Sequence, residues 1–193
     1  MYLLKELKVD YLSFVVITTT VTLVTLLTLP KWGKHIDKVG NISVIKFCGF
    51  IVSFIPILWI FSTYRFYFIL VNALAGFAWA GFNLAVSNFI FDAVSEAKRV
   101  RCLSYFNLLN GLVVYLGAIS GGFVAPHLPK IKGSYLLSIF LVSEILRFLI
   151  WRIFVRKIKE VRSCLPVNSK DLFFSNIGIR SIITDSQKPI NFE

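Results

Sequence analysis

Five long apolar runs, separated by short polar links, set the pattern of this chain. They cover residues 11–29, 42–61, 66–91, 102–125 and 135–155. Each is close to the roughly 20 residues a helix needs to cross about 30 Å of hydrocarbon. Lipid offers the backbone no hydrogen-bond partner, so each run must satisfy its own amides as a helix. The pattern therefore predicts an all-α integral membrane protein with five transmembrane helices. A lead segment, 1–10, precedes the bundle at 11–155, and a polar tail, 156–193, follows it. Pro30 and Pro126 are read as closing the first and fourth runs.

The links alternate in basic content. The first holds Lys31, Lys34 and Lys38, the third Lys98, Arg99 and Arg101, and the stretch after the last run Arg156, Lys157, Lys159 and Arg162. The second has only Arg65, and the fourth only Lys130 and Lys132. Basic links stay on the cytoplasmic side. The chain is thus expected in a cell membrane with its start outside and its tail inside. Lys5 and Lys8, ahead of the first run, pull the other way.

Composition agrees with the pattern. Hydrophobic residues make up 56% and charged residues 16% of the 193, against about 25% charged in soluble domains. A net charge of +11 taken alone points to nucleic acid, but the cations sit beside the apolar runs, so no nucleic-acid partner is expected. Cys48, Cys102 and Cys164 show no metal or redox spacing.

Polar residues inside the runs fall on stripes. Thr18, Thr22 and Thr25 are spaced i, i+4, i+7. Asn72, Gly76, Trp79, Asn83 and Ser87 share one face of the third run, and Asn107, Asn110, Gly111, Ala118 and Gly121 one face of the fourth. The second run has little polar content beyond Lys46 and Ser53. Such stripes face either neighbouring helices or a cavity. Gly117-x-x-x-Gly121 is a close-packing pattern, Trp79 suits core or substrate, and the buried amides need partners in either case. Glu144 and Arg147, three residues apart, form a charged pair deep in the fifth run. They suit an internal ion pair or a proton-coupling site.

The first link reads Pro-Lys-Trp-Gly-Lys-His-Ile-Asp-Lys-Val-Gly-Asn over residues 30–41. Read as a tight turn, it uses Gly33 and Gly40 for backbone freedom, and Asp37 to cap the next helix. Gly33, Asp37, Lys38 and Gly40 also match the loop motif of the major facilitator superfamily, Gly-x-Leu-Ala-Asp-Arg-x-Gly-Arg-Lys. His35, Asn41 and Ile42 depart from it. The glycine runs around Gly76–Gly81 and Gly117–Gly122 resemble that family's helices ten and eleven.

The resemblance implies a twelve-helix fold of two halves, of which this chain would be helices eight to twelve, part of the C-terminal half. Its missing partner would be the N-terminal half, on a separate chain or lost by truncation. The resemblance also implies secondary transport of a small solute, of unknown identity, by alternating access. It places the first, third and fourth runs around a central cavity. Thr18, Thr22, Thr25, Asn72, Trp79, Asn83, Asn107 and Asn110 are then candidate cavity residues. A cytoplasmic latch between Asp37 and Arg99 or Arg101 is a further expectation.

No span holds a paired carboxylate, a Ser/His couple or a metal-binding set, and no phosphate-cradling loop is present, so neither an enzyme nor a cofactor is expected. The competing reading is a small five-span structural or assembly protein that oligomerises through its Gly-rich helices.

Overall fold

The computed structural model describes residues 2–5, 7, 9–129, 131 and 135–157. The expected tail beyond 157, with Lys159, Arg162 and Cys164, lies outside the described residues, as do Glu6, Lys8, Lys130 and Lys132. A short helix α1 (Tyr2–Lys5) leads into α2 (Tyr11–Val39), α3 (Asn41–Phe61), α4 (Arg65–Ala93) and α5 (Glu96–Val124). A 3-10 turn (Ala125–His127) follows, then α6 (Tyr135–Lys157). Among the described residues four helices are long and apolar enough to cross a membrane: α2, α3, α4, and α5 with its turn. The fifth expected span, α6, has 23 residues but carries Glu144, Arg147 and Arg152, and does not join that set.

The first and third links are much shorter than the apolar runs suggested. Helix α2 does not stop at Pro30. It continues to Val39, 29 residues in all, or about 43 Å. A proline inside a helix costs about 3 kcal/mol. What offsets it here is Trp32, fully buried, with its Nε1 donating to the Phe77 carbonyl of α4 at 2.9 Å. Ile36 and Val39 lie on the same face, one and two turns on, and are also buried. Gly33, His35, Asp37 and Lys38 are consequently helical residues, not loop residues.

The α2–α3 joint is Gly40 alone, at φ 84° and ψ 161°. Its N–H closes α2 on the Ile36 carbonyl at 2.9 Å. A side chain there would be strained, so the glycine is demanded by the backbone. Asp37 does not cap α3; no side chain does. Helix α5 likewise starts at Glu96, so Lys98, Arg99 and Arg101 occupy its first turns rather than a link.

Helix α4 sits at the centre, between α2 and α3, and α6 packs on the far side of α3. At Gly81 an added Cβ would lie 2.6 Å from the Trp32 ring and 2.7 Å from Cys48 Sγ, so α2, α3 and α4 meet there. At Gly76 it would collide with the Val21 carbonyl, and Thr25 Oγ1 donates to the Gly76 carbonyl at 3.1 Å. On the other side, Trp151 of α6 lies over Gly49 and donates through Nε1 to the Lys46 carbonyl at 3.0 Å. Phe50, Phe54 and Phe148 complete an aromatic seam with it. At the opposite end Leu3, Val9, Ile17, Phe68 and Leu137 form a second core.

Helix α5 differs from all of these. None of its residues is buried, and a Cβ at Gly111, Gly117, Gly121 or Gly122 would meet nothing within 4 Å. The close packing expected of Gly117 and Gly121 is not made with any described helix of this chain.

Candidate functional site

The polar stripes divide once their surroundings are known. Thr25 is spent on the α2–α4 contact described above. Asn72 is buried and donates through Nδ2 to the Phe68 carbonyl of its own helix at 2.8 Å. Thr18 is exposed and folds its hydroxyl onto the Phe14 and Val15 carbonyls, at 2.9 and 3.1 Å. Thr22 is exposed. Trp79 and Asn83 stand exposed one turn apart, in the middle of α4. Asn107 and Asn110 are exposed on α5. The structure thus leaves Thr18, Thr22, Trp79, Asn83, Asn107 and Asn110 on open faces, and does not enclose them in one chamber.

Their position is informative because α4 is otherwise the most enclosed spanning helix. Of its apolar window 44% is buried, against 33% in α3, 6% in α2 and none in α5. An exposed amide and indole midway along it therefore need a polar neighbour, water or a ligand.

A cavity of about 660 Å³ opens beside this face, between α3, α4 and α6, with Phe106 of α5 over it. Trp79 is the one expected cavity residue on its wall. The charged residues there are Lys46 and Arg147.

At the basic end of the bundle, Asn41 of α3 donates through Nδ2 to Asp92 Oδ2 of α4 at 2.7 Å. Arg99 donates through Nε to the Phe91 carbonyl at 3.2 Å and approaches Glu96 at 3.7 Å. Among the described residues Asp37 pairs with neither Arg99 nor Arg101. It is exposed on α2 while Arg99 is held at the α4–α5 link. Sequence reasoning passed over Asn41 and Asp92, which are 51 positions apart and carry no local signal of their pairing.

Among the described residues Glu144 and Arg147 close no salt bridge, although the Arg147 charge acts on the Glu144 carboxyl. Glu144 is buried beside the Ile57 backbone amide of α3, and one carboxylate oxygen has no hydrogen-bond partner. Arg147 is exposed toward the cavity. The i, i+3 spacing brings two side chains to one side of a helix, but α3 takes one and leaves the other.

Compared with protein-family models, the chain matches that of the Major Facilitator Superfamily over residues 1–181 of its 193. The chain belongs to the Major Facilitator Superfamily. No curated protein and no solved structure matches it. The superfamily is one of transporters, not an enzyme class. With four helices of spanning length, this member is a multi-pass membrane protein. The matched region takes in all six helices and the 33–40 motif. Within that motif the facilitator glycines are unequal here: Gly40 is fixed by its positive φ, whereas Gly33 has open space where a side chain would go.

Proposed function

We propose that this facilitator chain moves a small solute by alternating access, contributing the five spans α2 to α6 as helices eight to twelve of a two-lobed carrier. The observation that carries the reading is the pair Trp79 and Asn83, exposed midway along α4, the most buried of the four spanning helices. Sites of this kind lie near the membrane midplane, facing an opposing lobe. The open face of α5, with Asn107 and Asn110 on it, supports the same reading. The placement as helices eight to twelve rests on the 33–40 motif at the end of α2.

The orientation proposed is start outside, tail cytoplasmic. Lys31, Lys34 and Lys38 end α2, and Lys98, Arg99 and Arg101 begin α5. The Asn41–Asp92 bond ties the two regions to one end of the bundle, and positive charge favours the cytoplasmic face there. We assign the cytoplasmic latch to that bond rather than to Asp37.

Solvent access tests the reading without knowledge of the solute. In a chain whose own cysteines are replaced by serine, Asn83→Cys is expected to react with a hydrophilic maleimide in native membranes. Leu70→Cys, exposed on the same helix in an apolar setting, is expected to stay unlabelled. Equal protection of both positions counts against a polar pathway. The second reading, a structural protein that associates through Gly-rich helices, is favoured by the unpartnered glycines of α5. It also predicts a protected Asn83.

A further inference from the structure

The cavity between α3, α4 and α6 carries a charge imbalance that the transport reading does not use. Its wall is almost wholly apolar, with Trp79, Phe82, Phe106 and Trp151 prominent, and contains no acidic residue. Two cations line it, Lys46 and Arg147. Neither forms a salt bridge among the described residues, because Glu144, the one acid on α6, is buried against α3. The Trp151–Lys46 bond sets Lys46 level with Trp151, and Arg147 lies one helical turn away, about 6 Å along α6. The two cations therefore mark one stretch of the cavity, toward the Asn41 end of α3.

A cation held against apolar walls in a membrane is costly unless an anion accompanies it. Among the described residues the wall supplies none, Glu144 acts on Arg147 without closing a salt bridge, and the lining offers a long, aromatic, hydrophobic surface beside the charges. We propose that this cavity is a binding site for an anionic phospholipid of the surrounding bilayer. Its phosphate sits between the Lys46 ammonium and the Arg147 guanidinium, and an acyl chain lies along Trp79, Phe82 and Trp151. Arginine suits the phosphate through paired N–H donors, and lysine as a point charge reaching toward the interface. The volume, about 660 Å³, is in the range of small-molecule pockets.

Two of the four tryptophans, Trp79 and Trp151, line the cavity, whereas Trp32 is fully buried elsewhere. Phospholipids with brominated acyl chains quench indoles they touch. In vesicles of the full chain, brominated phosphatidylglycerol is expected to quench at least twofold more than brominated phosphatidylcholine at equal mole fraction. The excess is expected to vanish in Lys46→Gln/Arg147→Gln and in Trp79→Phe/Trp151→Phe, and to persist in Lys46→Arg. A Lys31→Gln/Lys34→Gln control, outside the cavity, keeps it. Equal quenching by the two lipids overturns the proposal, as does survival of the excess in the Gln double variant. So does loss of the excess on adding inorganic phosphate alone at millimolar concentration, which would show a free-anion site. Should the Gln variant not fold, the Trp→Phe pair and the phosphate arm still decide.

Discussion

Removing the Trp32 side chain would open a gap at the point where α2, α3 and α4 converge. Trp32→Ala is expected to lower stability in detergent by about 3–5 kcal/mol, the usual range for truncating a buried aromatic. Trp32→Phe keeps most of the ring and loses the bond to the Phe77 carbonyl, so it is expected to cost nearer 1 kcal/mol. Thermal melts of the two variants check this, and equal costs would mean that the indole does not fill the space above Gly81. The same residue shows why the first link was misread. Pro30, Gly33 and three lysines all signal a loop, and they are near neighbours in sequence. The countersignal, Trp32, Ile36 and Val39 at helical spacing, was equally legible. Its weight came from Phe77, Gly81 and Cys48, which no local pattern reports.

Among whole elements, the existence of the helices was plain from the apolar runs, while their partners were not. Two glycine-bearing helices looked alike as strings: α4 with Gly76 and Gly81, and α5 with Gly117 and Gly121. The structure uses one pair for backbone-close packing and leaves the other open. Gly81→Leu is therefore expected to destroy the bundle, since Trp32 and Cys48 have no room to retreat. Gly117→Leu is expected to leave the melting of the isolated chain within about 0.5 kcal/mol of the parent. A strong effect of Gly117→Leu on the isolated chain would place a helix of this chain against α5. The α6 charges teach the same lesson. Spacing puts Glu144 and Arg147 in each other's field, yet the carboxyl settles against α3 and no salt bridge closes between them.

For the molecule as a whole, the transport family was legible from four residues, Gly33, Asp37, Lys38 and Gly40, although only Gly40 sits in a turn. Of the residues on the polar stripes, Trp79 and Asn83 lie open, while Thr25 and Asn72 serve packing and their own helix. The difference depends on what stands opposite each side chain, which periodicity alone does not encode. Topology can be checked at this scale. Single cysteines at Lys38 and Lys98 are expected to be labelled from the same side of sealed vesicles, and one at Ser62, between α3 and α4, from the other. Labelling of Lys38 and Lys98 from opposite sides would break the orientation proposed.

Gly40 also governs how the chain is made. Helices α2 and α3 leave the ribosome joined by a single residue, yet each finds its main neighbour in α4 rather than in the other. Trp32 and Cys48 have no Gly81 to close on until 33 residues beyond Cys48 have been translated. The first two spans must then wait in the bilayer as a loose hairpin, and the arrival of α4 between them is the event that locks the nascent bundle.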